Sequence, residues 1–264
     1  MGRMVALFWM VLAGAVAAAD IPDGMANAQV VVLGEVHDNP HAHARQAELV
    51  AALKPRALVF EMLTDAQAAA VTPDVRGDAV ALEAALGWEA AGWPDFEMYY
   101  PIFAAAPQAG VYGGAVPRGE ARAAMEAGVA EWFGAGAARY GLGEALDPDQ
   151  QELREEMQHL AHCEALPAEM LPVMVELQRL RDAVLARAVM AALEETGGLV
   201  AVITGNGHAR RDWGMPAFVA RAAPDVSVFS LAIAEPGGAE GVFDAIEEVP
   251  AAEREDPCAA FDKG

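Results

Sequence analysis

The sequence predicts an α/β fold: a mainly parallel sheet flanked by helices, with a helical inserted sub-domain that forms a cap. Three observations carry this reading. Short apolar runs without polar alternation recur along the chain, the mark of strands covered on both faces. Between them the apolar period switches to that of a helix, and strands alternating with helices build parallel sheets through crossovers. The composition, 55% hydrophobic and 21% charged over 264 residues, can fill a core. That length suits one large domain carrying a sub-domain.

Residues 1–19 read as a cleavable secretory signal peptide. Arg3 gives a positive start. Residues 4–16 form an apolar run that is short for a membrane span, and Ala17-Ala18-Ala19 supply small residues for cleavage before Asp20. A lipobox would need Cys where Ala15 stands, so lipid anchoring is disfavoured. The expectation is a periplasmic or otherwise exported protein. Its mature domain would be residues 20–264, with no later run of membrane length. In an oxidising compartment Cys163 and Cys258 are free to pair; two separate buried thiols are the alternative.

In the mature part, residues 29–33, 57–60, 110–116 and 199–203 read as strands, with 226–233 and 242–246 as a fifth and sixth. Helical spacing appears at 41–54, 119–133 and 216–223. Residues 64–109 and 134–197 are long, mainly helical and rich in Met, and are read as helical insertions. Methionines at 157, 170, 174 and 190 are taken as core packing rather than as haem ligands.

The most informative residues stand at the strand ends. The first strand ends in Gly34-Glu35-Val36-His37-Asp38-Asn39 and the second in Glu61. The third ends in Pro117-Arg118, and the fourth in Thr204-Gly205-Asn206-Gly207-His208, with Arg210 and Arg211 just beyond. In a parallel sheet all carboxyl ends share one edge, where open α/β sheets bind ligands. Glu35, His37, Glu61, Arg118, His208 and Arg211 are therefore predicted to converge, with the glycines allowing sharp turns. Each alone has an ordinary structural reading: a hydrogen-bonded His, a helix-capping Glu, a surface ion pair. Together they point to a site, because burying several ionisable groups is costly unless they are paired or bind something. His41 and His43 open the first crossover helix. Two residues apart, they point to different sides, so at most one faces the site. His159 and His162 are an i, i+3 helical pair whose spacing suits two ligands on one face, with solvated or capping histidines as the equal alternative.

Composition and motif spacing remove several classes. A formal charge of −22 leaves no basic footprint for nucleic acid or anionic membranes. The spacing Gly-Glu-Val-His is not the His-Glu-x-x-His of zinc proteases. No Gly-Lys-Ser/Thr comes after the glycines at 110–114, and Ser227 and Ser230 lack a nucleophile elbow. His37, His208, Glu35 and Glu61 suit either a divalent metal or acid–base work. The arginines suit carboxylates or phosphates, haem propionates among them.

Several motifs resemble those of the ChaN-like haem-binding uptake family. They are Leu33-Gly34-Glu35-Val36-His37-Asp38-Asn39-Pro40 with His43 and Gln46, and Phe60-Glu61-Met62. Trp93-Pro94, Tyr100-Pro101-Ile102-Phe103, Pro117-Arg118, His162-Cys163 and Gln178-Arg179-Leu180-Arg181-Asp182-Ala183 extend the likeness. The segment from Gly205 through His208 to Pro216 is the most specific match. The resemblance spans about residues 29–220. It implies an exported α/β protein with a helical sub-domain that binds haem in iron acquisition, with a homodimer as one expectation. The pocket set it suggests is Glu35, His37, His43, Glu61, Tyr100, Arg118, Asn206, His208, Arg210 and Arg211. Tyr99, Tyr100 and Tyr112 are axial-ligand candidates by chemistry alone. The chain departs from the family in lacking the lipid-bearing Cys, and in reading His41-Ala42-His43 where two adjacent histidines are expected. The family belongs with the Tiki-type metalloproteases and erythromycin esterases. A metal-dependent hydrolase using His37, His208, Glu35 and Glu61 is therefore the alternative.

Overall fold

The computed structural model describes residues 20–260; the segment 1–19, read from the sequence as a signal peptide, lies outside them. Six strands form one parallel sheet: β1 (Val30–Glu35), β2 (Ala57–Phe60), β3 (Gly110–Gly113), β4 (Val200–Gly205), β5 (Val228–Ala234) and β6 (Ala245–Glu248). Their spatial order is β3-β2-β4-β1-β5-β6. β1, β2 and β4 are buried along their whole length. That is why they read as unbroken apolar runs.

The first crossover helix is α1 (Pro40–Leu53). Residues 65–105 continue as α2 (Asp65–Ala69), α3 (Pro73–Arg76), α4 (Ala79–Leu86), α5 (Trp88–Ala91) and α6 (Phe96–Ala105). After β3 come α7 (Arg118–Ala127), α8 (Val129–Phe133), α9 (Pro148–Ala161) and the long α10 (Leu171–Thr196). α11 (Asn206–Ala209) and α12 (Met215–Ala222) lie between β4 and β5. Asn39 caps α1, its side chain accepting from the backbone N–H groups of His41 (2.9 Å) and Ala42 (3.2 Å), with Pro40 at the first turn.

The two faces of the sheet are covered by different helices. Val31, Leu33, Leu58, Phe60 and Ile203 face α1 and α6, where Phe60 stacks on Phe103 at 4.3 Å. Val30, Val32, Val59, Val200 and Val202 face α10 through Leu180, Ala183 and Val184. Alternate residues of one strand thus point to opposite layers. The helix-rich segments supply much of both layers. A disulfide joins Cys163, just past α9, to Cys258 in the C-terminal segment.

Chain order and spatial order together set the position of the site. From β1 the chain crosses to β2 on one side; from β4, the neighbour of β1, it crosses to β5 on the other. The carboxyl ends of β1 and β4 therefore flank a topological switch point, the crevice where such sheets bind ligands.

Candidate functional site

Three strand ends deliver ionisable side chains to this crevice. Glu35 closes β1 and is 2% exposed. Its Oε1 accepts hydrogen bonds from His37 Nδ1 (2.8 Å) and from the Tyr99 hydroxyl (3.0 Å). His43 is fully buried on α1. Its Nε2 donates to the His37 carbonyl (2.8 Å). Its Nδ1 lies 3.2 Å from Gln46 Oε1 and 3.0 Å from Glu35 Oε2. Gln46 Nε2 donates to the Leu33 carbonyl, which turns the amide oxygen toward His43. Both ring nitrogens of His43 thus face acceptors, and the Glu35 carboxylate raises its pKa against burial, which favours the protonated ring. Its N–H is directed at Gln46, and Glu35 Oε2 is left without a hydrogen bond of its own. That oxygen is held by the adjacent positive charge.

Glu61 comes directly after β2. Its Oε2 accepts from Thr204 Oγ1 (2.6 Å) and the Gly205 backbone N–H (2.8 Å). Its Oε1 lies between two imidazoles, 3.8 Å from His37 Nε2 and 3.5 Å from His208 Nε2. His208, on α11 beyond β4, is bound on its other side to Asp182 of α10, Nδ1 to Oδ1 at 2.7 Å. A chain therefore runs Tyr99, Glu35, His37, Glu61, His208, Asp182. His37 is its most open member at 34% side-chain exposure, with Trp93 against it at 5.1 Å between ring centroids.

Burial opposes every charge in this chain, and the partners outweigh it at each carboxylate and imidazole but Asp182, whose carboxyl is raised by burial against the pull of His208. Burial would raise Glu35, yet the hydrogen bond from His37 and the adjacent His43 imidazole hold it at about 2. Burial would lower His37, yet the Glu61 charge and the Glu35 hydrogen bond raise it to about 9. In the same way His43 is raised by Glu35, and His208 by Glu61 and Asp182, against burial. Glu61 is lowered against burial by His208 and His37. Tyr99 is raised, by burial and then by Glu35, and stays a phenol that donates to the carboxylate.

The two glycines of the Gly-x-x-His turns serve close approach. Neither Gly34 nor Gly205 has a positive φ, which corrects the expectation that they relieve a sharp turn. A Cβ on Gly34 would collide with Asn206 Oδ1, and a Cβ on Gly205 would sit 3.0 Å from His37 Nε2. Gly205 thus clears the space in which His37 reaches Glu61.

Of the sequence candidates, Glu35, His37, His43, Glu61 and His208 come together here. Asn206 adjoins them structurally: its Nδ2 donates to the Ile233 carbonyl (2.9 Å), tying α11 to β5. The arginines mostly do not join. Arg210 is spent on Asp212 (2.6 Å) and the face of Trp213. Arg211 pairs with Asp244. Acidic neighbours two residues on, or across the β5–β6 connection, capture them first. Arg118 starts α7 beyond the edge strand β3 and is exposed. Tyr100 packs beside Phe96 at 6.2 Å between ring centroids, while its neighbour Tyr99 reaches the site. Tyr99 is fully buried, which removes it as an axial ligand. His41 is exposed in the first turn of α1 and lines a separate cavity with Asp38 and Pro40.

Sequence reasoning missed Asp182 and Arg181 as site residues. Asp182 and Gln178, one helical turn apart on α10, both contact His208, and that i, i+4 spacing was the available signal. Arg181 is half-buried, its pKa lowered by burial with Glu61 and Asp182 opposing, and it makes no hydrogen bond among the described residues.

The set does not fit a divalent metal. Among the described residues no group of three or more His, Cys, Asp or Glu is arranged to hold one. The physical reason is that the imidazoles and carboxylates are engaged with one another, His37 with Glu35 and His208 with Asp182, while Glu61 accepts from Thr204 and the Gly205 backbone.

Fold and site together define an α/β protein of the open-sheet kind with a paired acid–imidazole chain at its switch-point crevice. The chain belongs to the haem-binding uptake family of the Tiki superfamily, ChaN, whose model matches residues 21–219. Among solved structures, ChaN of Campylobacter jejuni, described for its cofacial haem binding, is similar at 16% identity and a TM-score of 0.57. The match covers 79% of this chain and 82% of that one. At that identity the likeness concerns the fold, a parallel sheet between helices. The type III effector HopBA1 matches at 13% identity and a TM-score of 0.45, covering 79% and 78% of the two chains. No curated protein matches the sequence.

Proposed function

We propose that this protein is an exported haem-binding protein serving haem and iron acquisition, with its ligand at the carboxyl edge of the sheet. Membership of the haem-binding uptake family over residues 21–219 carries this reading, and the cofacial haem binding described for Campylobacter jejuni ChaN is in keeping with it.

The residues around the start of α1 fit the group. A cavity of about 710 Å³ is lined by Asp38, Pro40, His41, Pro94, Asp95 and Met98, within the roughly 300–1,000 Å³ of ligand pockets. Pro40, Pro94 and Met98 offer an apolar wall for a porphyrin. His41 is the exposed imidazole there, whereas His37, His43 and His208 are already engaged with Glu35, Glu61 and Asp182, which favour their charged forms. His41 would therefore hold the iron; no arginine lines this cavity, and Arg181, beside Glu61 and Asp182 and without a hydrogen bond among the described residues, is the cation offered to a propionate from the crevice. When bound, haem supplies a flat apolar ring and an iron with an open coordination position. The paired chain beneath keeps the crevice floor rigid and its net charge fixed. The second reading, a metal-dependent hydrolase, has no observation favouring it.

Hemin titration of the purified protein tests the proposal. A saturable Soret shift is expected, with His41→Ala weakening binding at least about tenfold, or about 1.4 kcal/mol. A Soret band that stays that of free hemin would overturn the function. Wild-type binding by H41A would overturn the ligand assignment alone. Export is tested by the mature N-terminus, expected at Asp20 in the periplasmic fraction.

A further inference from the structure

We infer that a second ligand site, for a small monocarboxylate, lies between α9, α10 and α12, with Arg154 as its anchor. Arg154 projects from α9 and is 7% exposed. It makes no hydrogen bond or ion pair among the described residues, and its Nε is buried without a partner. Its guanidinium lines a cavity of about 380 Å³ and lies 5.0 Å from the centre of the Trp213 ring. A buried guanidinium without acceptors is costly, and here burial draws its pKa down to about 10.

The other charges around this cavity are already taken. Arg179 pairs with Glu176 and donates to the carbonyls of Gly141 (2.8 Å) and Glu144 (2.9 Å). Arg221 pairs with Glu144, and Arg210 with Asp212. Asp182, the anion with the largest pull on Arg154, gives its Oδ1 to His208. One positive charge is left over, and its planar fork matches the two oxygens of a carboxylate.

The rest of the wall selects the ligand. Tyr140 and Phe218 are buried aromatic surfaces beside Trp213, suited to an apolar body. With a single guanidinium left to answer one negative charge, a second charge on the ligand would have no partner at this lining, which disfavours phosphate. A volume near the lower end of the roughly 300–1,000 Å³ of ligand pockets admits only a small molecule. None of the crevice residues Glu35, His37, His43, Glu61, His208 and Asp182 lines this cavity.

Calorimetric titration of the full-length mature protein with sodium benzoate, and separately with inorganic phosphate, tests this. Saturable benzoate binding is expected, with phosphate at least tenfold weaker. Arg154→Gln should abolish it. Arg154→Lys, which keeps the charge but not the fork, should bind at least tenfold more weakly than wild type while unfolding at a similar temperature. Trp213 should report binding by fluorescence, and Trp213→Phe should lose that signal while keeping the heat of binding. A wild-type protein that takes no benzoate, or R154K that binds it as wild type does, would overturn the proposal. Phosphate binding equal to benzoate binding would overturn its ligand class.

Discussion

Replacing Glu35 by Gln should destabilise the protein by about 3 kcal/mol at neutral pH, a figure reached by two routes. The first is linkage. The drop in the Glu35 pKa from 4.5 to about 2, at roughly 1.4 kcal/mol per pH unit, is worth about 3 kcal/mol, and with the residue 2% exposed there is little screening to discount. The second is the general behaviour of buried ion pairs: removing one partner and stranding the other costs about 3–5 kcal/mol. Gln keeps the shape and can still accept from Tyr99 and His37, so the loss isolates the charge. His43 and His37 can shed their protons in the variant, which caps the cost near the lower figure. A depressed carboxylate pKa stabilises above its unfolded value, so the contribution is complete above pH 4.5 and fades as pH falls toward about 2. Urea or thermal unfolding monitored by circular dichroism near pH 7 should show a Tm lower by roughly 6–12 °C. The gap between variant and wild type should narrow toward about pH 2. A loss under about 1 kcal/mol at pH 7, or one that does not shrink with acid, would refute the reasoning.

The same geometry sets further outcomes. Gly34→Ala forces a methyl into Asn206 Oδ1 and against the Leu231 carbonyl, and should cost roughly 1–3 kcal/mol by overpacking, read by equilibrium unfolding. Asp182→Asn keeps an acceptor beside His208 Nδ1 but removes its negative charge, so the His208 pKa should fall in an NMR titration; an unchanged value would leave Glu61 as its sole support. With the His37 pKa raised to about 9, the stabilisation from its charge should be complete below its unfolded value of 6.5 and fade as pH rises through about 9, so unfolding midpoints should decline across that window. Cys163→Ser opens a link spanning 95 residues, which the chain-entropy model values at about 4–5 kcal/mol. Comparison of oxidised wild type with the variant by thermal unfolding checks it.

The strands were legible because β1, β2 and β4 are buried on both faces, and only apolar, mostly β-branched runs survive there. The acids and imidazoles of the crevice were legible for a related reason: Glu35, Glu61 and His208 each sit just where a strand stops and side chains can turn inward. The arginines were not, because a guanidinium's partner is chosen in three dimensions. Nothing local says that Arg211 meets Asp244 across 33 positions, while Arg181 meets no hydrogen-bond partner among the described residues. Tyr99 and Tyr100 illustrate the limit on helices. Adjacent residues there point about 100° apart, so a shift of one position exchanges a residue bound to Glu35 for one packed on Phe96. Asp182 was hidden in the polar stripe of a long helix whose inward turn is set by the sheet it crosses.

The C-terminal segment gives this architecture a mechanical property. Residues 250–258 leave the edge strand β6, pass the start of α1, where Asn39 donates to the Pro250 carbonyl and Arg254 grips Asp38 and Glu235, and end in the bridge to Cys163. Tension on the last residues would be carried by sulfur into the helical layer before it could peel the outermost strand away. An edge that would otherwise unzip first is thereby loaded in parallel with the interior of the molecule.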